Sequence, residues 1–404
     1  MATPTKPLDA GSVAGLVADD VEIVRRVLAH IDAGTTDEGV AWREPVENYL
    51  DPARFAAEMR MLRATPSVFA PSAAIPDPGD HVERTAFGVP LFAVRGRDRR
   101  ARVFRNACRH RGFTLVEGAG CAKALVCRYH GWTYRLDGSL AHVPHQDAFP
   151  DLDMAARGLV EVPSREADGL IVIDGLSGGF PQSAGDAALA WLTDGRAWRD
   201  KLVPRQLVQV DSTLRAMNWK VLVEQFLEGY HIRWTHQNTF FPLQYDDLNV
   251  VEQFGPNSRI TFPYRNIERL RDRPQSSWTT DARVTYLYQL FPNVMLATFP
   301  DLMLVVVIDP VDVGHSTVVI YSLARSEIAE RVSGDNRDGA GTLVARGAVE
   351  DNEMSEGVQR GLHSGANEFV EFGRHESAIG HFHAVLDERL SQLSAPTASS
   401  GIHR

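Results

Sequence analysis

Four residues in the first third of the chain have the types and spacing of a metal centre. Cys108-Arg109-His110 and Cys127-Arg128-Tyr129-His130 form the pattern C-x-H-x16-C-x-x-H. Two thiolates and two imidazoles suit a tetrahedral zinc ion, or a two-iron, two-sulfide cluster with cysteines on one iron and histidines on the other. Structural zinc sites usually open with a Cys pair and close with a His pair. Here each short loop supplies one Cys and one His, which suits two chemically distinct irons gripped between two loops. Gly112 and Gly131 follow the loops, and glycine lets backbone N–H groups come close to sulfide. Cys121 lies between the loops without a partner at ligand spacing and is read as a small hydrophobe.

A second constellation lies in Glu228-Gly229-Tyr230-His231-Ile232-Arg233-Trp234-Thr235-His236. His231 and His236 stand at i and i+5, about 140° apart around an ideal helix. Both reach one metal only if the helix loosens or ends between them. Two histidines and one carboxylate on one face of an iron leave positions for dioxygen and substrate. Asp351 is the best candidate for the carboxylate. With Ser355, Val358 and Leu362 it follows i, i+4, i+7, i+11, the inward face of a long helix. An acidic residue on that face needs a partner, and a metal is a sufficient one. Glu350 and Glu353 are expected to point to other faces, into solvent.

Cys108 to Gly112 and Cys127 to Gly138, with Arg111 and the Trp132 to Gly138 run, resemble the Rieske domain of Rieske non-haem iron oxygenases, large (α) subunit. The resemblance spans about residues 45 to 390. It implies a Rieske [2Fe-2S] cluster on Cys108, His110, Cys127 and His130, and a mononuclear Fe(II) on His231, His236 and Asp351. The two histidines match the family's D/E-x-x-H-x4-H motif, and Gln359-Arg360-Gly361-Leu362 follows Asp351 at the family's offset. Glu228 falls at the acidic position three residues before the first histidine. In the family that carboxylate bonds both a ligating histidine of its own iron site and a Rieske histidine of a neighbouring subunit, which makes the electron bridge. Many members carry Asp there; Glu occurs in the branch acting on quaternary amines. Gln225 stands where Asn is common and receives no role.

The resemblance further implies an oxygenase using O2 and a small organic substrate. Electrons would come from NAD(P)H through a separate reductase, with or without a ferredoxin. No G-x-G-x-x-G follows a strand, so no nicotinamide site is expected in this chain. A bridge between subunits implies a ring, most simply a homotrimer, with or without a small β subunit. Phe226, Phe240, Phe241, Tyr245, Phe262, Tyr264, Trp278, Tyr286, Tyr288 and Phe291 crowd the second half; most are expected in the core and a few on a pocket wall. Such a wall suits an apolar aromatic or polycyclic substrate, and hydroxylation of one is the main expectation. An aromatic cage equally suits a trimethylammonium group, so oxygenation or N-demethylation of a quaternary ammonium compound is the alternative, favoured by Glu228. An electron-transfer Rieske protein without oxygenase activity, and a zinc-binding structural protein, are further alternatives.

The elements that must carry these residues read as α+β. Val21 to Ile31 is apolar-periodic, and Asp51-Pro52 reads as an N-cap with proline at the first helical position. From Thr65, short strand-like runs (Val89 to Val94, Val103 to Asn106, Leu125 to Cys127, Trp132 to Arg135, Leu170 to Asp174) alternate with Gly, Pro and Asp turns, a small all-β unit. Trp219 to Tyr230 reads as helix. Val284 to Leu290, Leu302 to Ile308 and Thr317 to Leu323 read as strands, and Leu343 to Leu362 and Ala378 to Leu390 as helices covering an antiparallel sheet. The expected division is 1–64, an N-terminal helical segment packing on the catalytic domain; 65–175, the Rieske domain; 176–390, the catalytic domain, entered through a Gly/Ser-rich linker from Gly175 to Gly185; and 391–404, a flexible tail.

Composition narrows the partners. With 44% hydrophobic and 23% charged residues the 404-residue chain is globular rather than disordered or fibrous. A net charge of -10 argues against general nucleic-acid binding. No apolar run approaches the length of a membrane span, and no secretory leader is evident. Three cysteines cannot build a disulfide framework, so a cytoplasmic setting is expected.

Overall fold

The structure, a computed structural model, describes residues 17–176, 198–202, 205–332 and 340–394. The expected linker from Gly175 to Gly185 and the tail lie largely outside these residues. All strand pairings are antiparallel among the described residues. The architecture is α+β, as the sequence predicts.

The first half is built on a five-stranded sheet in the order Glu161–Val162, Ala101–Arg105, Val89–Arg95, Asp80–Ala86, Ala119–Cys121. Side chains alternate across a strand, and this sheet uses both faces. Leu91, Ala93 and Val103 enter the main core, whereas Phe92, Val94 and Phe104 enter a second, smaller core. That smaller core also buries Cys108, Cys127, Trp132 and Tyr134. A three-stranded sheet, Leu125–Val126, Thr133–Tyr134 and Leu140–His142, carries the second loop. Cys121 is a correction: it sits exposed on the Ala119–Cys121 edge strand, not in the core.

The second half centres on a seven-stranded sheet, Gln206–Arg215, His315–Ala324, Leu302–Asp312, Val294–Thr298, Val284–Leu290, Asn257–Pro263, Val250–Phe254. Its middle strands are buried along their length. One face carries Leu304 and Val306, which pair with Ala297 and Met295 on one side and with Ser322 and Ile320 on the other. The helices Trp219–Glu224, Ile232–Thr235 and Ala340–Leu362 lie together over that face. Arg84 of the first half and Asp309 of the seven-stranded sheet form a buried ion pair joining the two halves.

The predicted Trp219 to Tyr230 helix is shorter than expected, Trp219–Glu224. Asn218 caps it, accepting from the Lys220 N–H, and all six helical residues are buried. Burial of Lys220 and Glu58 is complete, at 0% exposure each. Glu58, on the Pro52–Ala64 helix, accepts from Lys220 Nζ through both oxygens at 2.8 Å, from Trp219 Nε1 at 2.9 Å and from Arg54 Nε at 2.9 Å. One turn on, Glu224 accepts from Tyr49 Oη at 2.6 Å and from His383 Nε2 at 2.8 Å. The short helix is thus pinned from both ends of the chain. Burial drives the Lys220 pKa down, against the opposing pull of the Glu58 charge.

Removing one partner of a buried ion pair leaves an uncompensated charge, at about 3–5 kcal/mol. Glu58→Gln is therefore expected to lower unfolding stability by about that amount, and a Glu58→Leu, Lys220→Met double variant to recover most of it. Denaturant titration of both checks this; an unmoved midpoint for Glu58→Gln would show that the pair does not hold the helix.

Candidate metal centres and the cavity between them and the sheet

The two cysteine loops are built alike. In the first, the Cys108 N–H donates to Phe113 O and the Gly112 N–H to Cys108 O; in the second, the Cys127 N–H donates to Trp132 O and the Gly131 N–H to Cys127 O, all at 2.8 Å. Closing each loop needs a positive φ, 78° at Gly112 and 72° at Gly131, where a Cβ is strained. The result buries both thiols and brings the His110 and His130 rings to 4.7 Å, edge to face. His110 stacks on Trp132 at 4.9 Å. Tyr134 Oη accepts from the Arg109 N–H at 2.9 Å and lies 3.3 Å from Cys108 Sγ, to which it can donate.

The donor chemistry fits a Rieske cluster. Burial pushes the Cys108 thiol up, so a thiolate there needs a cationic group against it. Among the described residues one set of three His, Cys, Asp or Glu donors converges to within 4.8 Å, and it is not this one. One Cys and one His from each of two loops, with the two imidazoles side by side, suit two irons with the cysteines on one and the histidines on the other.

The converging set is His231, His236 and Asp351. The sequence problem of two histidines five residues apart is solved by ending the helix. His231 precedes and His236 follows a one-turn helix, Ile232–Thr235, and the rings meet at 5.2 Å, edge to face. Asp351, on the Ala340–Leu362 helix, places Oδ1 2.9 Å from His236 Nε2 and 3.6 Å from His231 Nε2. Two ligand atoms about 2.1 Å from one ion and at right angles lie about 3 Å apart, so the trio fits a single ion with open positions.

Each histidine has its other nitrogen held by a carboxylate. Glu228 accepts from His231 Nδ1 and, at 3.1 Å, from the His231 N–H. Burial opposes the Glu228 charge, but the His231 imidazole and N–H outweigh it and hold the carboxyl below its usual value. Burial likewise opposes the His231 charge; Glu228, then Asp351, overcome it, and the imidazole is pushed up to about 9. Glu350 corrects the expectation that it is solvated. Its Oε2 accepts from His236 Nδ1 at 2.8 Å and from Thr239 Oγ1 at 2.6 Å. Those bonds lower its pKa despite partial burial. Val358 is a second correction: it is 48% exposed, while Ser355, Gln359 and Leu362 are buried. Ser355 Oγ donates to Gln225, which gives that residue a place: it ties the Ala340–Leu362 helix to the segment after the Trp219–Glu224 helix.

A cavity of about 150 Å³ opens from the three donors toward the sheet. Phe226, Phe240, Phe262 and Phe299 line it, above a floor of Leu287, Leu304, Val306 and Ile320. Of the ten aromatics singled out from the sequence, three are on this wall; Phe299 was not among them. Phe240 packs against His236 at 4.8 Å and stacks with Phe299 at 6.1 Å. A Cβ on Gly347 would fall 2.3 Å from the Phe240 ring, so the glycine is what allows the long helix to close over it.

Comparison with known proteins now bears on this geometry. The family profile "Rieske [2Fe-2S] domain" matches residues 65–161, and "Ring hydroxylating alpha subunit (catalytic domain)" matches residues 195–392. The chain belongs to the Rieske non-haem iron oxygenases, as a large subunit. It is 28% identical to the carnitine monooxygenase oxygenase subunit of Escherichia coli (strain K12), over 86% of this chain and 93% of that one. It is 25% identical to the chloroplastic choline monooxygenase of Spinacia oleracea, over 86% and 78%. A solved quaternary ammonium Rieske monooxygenase in complex with L-carnitine shares the fold, with a TM-score of 0.71 at 22% identity, covering 87% of this chain and 96% of that one. The oxygenase is thus a terminal component with a Rieske cluster domain and a mononuclear-iron catalytic domain, a family typically fed by a separate reductase. Among the described residues no helix is long and apolar enough to cross a membrane.

Glu350 was missed because one helical position from Asp351 is 100° around the axis, which the inward-face argument excludes. Carboxylates that hold the distal nitrogen of a ligating histidine typically affect metal affinity by about 10–100-fold. Glu350→Ala is expected to weaken iron retention by that factor while the visible spectrum of the cluster stays unchanged. Iron content after dialysis against graded chelator measures it, and retention equal to the parent would show that Glu350 does not position His236.

Proposed function

We propose that this oxygenase is a monooxygenase acting on a quaternary ammonium compound, its cluster held by Cys108, His110, Cys127 and His130 and its iron by His231, His236 and Asp351. The expectation of an apolar aromatic substrate gives way to this alternative. The observation that carries it is the cavity wall. Four phenylalanine rings stand beside the carboxylates Glu228 and Asp351. Ring faces attract a trimethylammonium group without hydrogen bonds, which that group cannot make. The carnitine and choline monooxygenases that align along most of the chain support the same class, as does Glu228, a variant of the quaternary-amine branch where many members carry Asp.

The chain's own residues have distinct tasks in this reading. Glu228 and Glu350 keep the Nδ1 protons of His231 and His236 in place, which leaves both Nε2 atoms free toward Asp351. The phenylalanines hold the cation and keep water from its methyl groups. When bound, the cluster and the iron supply single electrons and dioxygen activation beside the substrate. Glu228 is also the carboxylate through which a neighbouring subunit's cluster domain connects, so a homotrimer is the expected assembly, fed by NAD(P)H through a reductase, with or without a ferredoxin. Residues 65–175 form the cluster unit in this reading and 176–390 the catalytic unit, with 1–64 packed on the latter.

The aliphatic floor of Leu287, Leu304, Val306 and Ile320 favours a second reading, hydroxylation of an apolar aromatic ring. Oxygen uptake with product mass spectrometry separates the two. Glycine betaine, L-carnitine and choline are expected to stimulate uptake with cleavage or hydroxylation products; stimulation by naphthalene or toluene alone would reverse the assignment.

Asp351→Ala and His236→Ala are expected to lose one iron per chain and keep the cluster absorbance, because the two centres are built from separate elements. Full iron content in either variant would remove that residue from the ligand set. Glu228→Gln should keep both centres, yet product formation should fall about tenfold or more. Turnover at the parent rate would mean that electrons cross elsewhere.

A further inference from the structure

One cation on the cavity wall has no charge partner among the described residues. Arg215 ends the Gln206–Arg215 strand, directly opposite Ser316. Opposed residues on antiparallel neighbours share a face, and every second residue along a strand returns to it. Ser316, Val318 and Ile320 are such a series, and Val318 and Ile320 line the cavity. Arg215 lines it with them. Its Nε is buried and has no hydrogen-bond partner. Among the described residues its guanidinium forms no ion pair.

Four other polar groups on the wall are engaged. Glu228 is taken up by His231, and Asp351 by both histidines. Gln244 Nε2 donates to Thr285 Oγ1 at 3.3 Å, and Gln225 accepts from Ser355. A buried donor without an acceptor is costly, and a guanidinium fork fits a carboxylate with two parallel bonds. In an apolar cavity the same charge would repel a simple ammonium ion more strongly than in water. A ligand with a carboxylate at one end and a quaternary nitrogen at the other removes both penalties.

We propose that Arg215 anchors a carboxylate of the substrate, so that this oxygenase acts on zwitterionic onium carboxylates rather than on onium alcohols. The inference rests on the quaternary ammonium reading for its cationic half. The anionic half stands on the unmatched guanidinium alone.

Isothermal titration of the purified holoenzyme tests it with glycine betaine and choline, which present the same trimethylammonium group with and without a carboxylate, and with benzoate, a carboxylate without the cation. The parent is expected to bind glycine betaine about tenfold or more tighter than choline. Arg215→Gln should abolish that preference, weakening glycine betaine about tenfold or more while choline binds as before or tighter. Arg215→Lys should recover part of it. Equal iron content and cluster absorbance in all three proteins show that the fold is kept. Unchanged glycine betaine affinity in Arg215→Gln, or a parent preference for choline, overturns the anchor and leaves the quaternary ammonium reading standing. Benzoate binding that depends on Arg215, with neither onium compound bound, supports the anchor and overturns the quaternary ammonium reading instead.

Discussion

Two imidazoles five residues apart cannot face one carboxylate from a continuous helix, and much of the catalytic half is arranged around that restriction. The helix that would run from Trp219 through His236 is stopped at Glu224 and resumes for a single turn at Ile232–Thr235. Interrupting a helix frees backbone groups and lowers its cooperativity. Something other than helical hydrogen bonding must then hold the stub in place. Glu58 beneath Lys220, and Tyr49 and His383 around Glu224, supply that hold. The long Ala340–Leu362 helix can then present Asp351 and Glu350 to a fixed pair of rings.

The cluster loops meet a different demand with the same economy of parts. A strand buries alternate residues on opposite faces, so the Val89–Arg95 strand serves two cores at once. The cysteine loops sit on the smaller of these, and a hydrophobic setting for the thiols comes with the strand that also seals the main core. The Arg84–Asp309 pair joins this unit to the seven-stranded sheet with opposite charges rather than with apolar surface alone. Burial raises the Asp309 pKa, against the guanidinium that faces it.

Local chemistry was legible where a single residue type admits few roles. The loops at 108–110 and 127–130 stood out by residue type and spacing, and the structure builds them alike; Asp51-Pro52 opens the Pro52–Ala64 helix as its residues predict. The long helix at 340–362 and the last helix, Ser377–Ser394, followed from apolar periodicity. Strands such as Ser67–Pro71 and Asn257–Pro263 were not recognised. Both are buried on both faces, so no alternation marks them, and Pro, Ser and Asn disguise their ends. Glu350 escaped because helix geometry alone cannot tell that a neighbouring loop brings a ring and a hydroxyl to a side chain off the inward face. Val358 was misplaced for the converse reason: the helix turns part of that stripe to water. Arg215 carries no local signal at all; its meaning comes from strand register with residues a hundred positions later.

The supports of the iron site come from far apart in sequence. Tyr49 and Glu224 are separated by 175 residues, and Glu224 and His383 by 159. The Trp42–Pro45 strand pairs with Phe369–Phe372, and Arg54 reaches Asp387 at 2.7 Å. During synthesis, therefore, both histidines and Asp351 leave the ribosome before the last helix exists to complete their footing. Contacts of long sequence separation are slow to form, so these supports are among the last to be made. A chain cut short near residue 375 would carry His231, His236 and Asp351 and lack the Ser377–Ser394 helix that braces their surroundings.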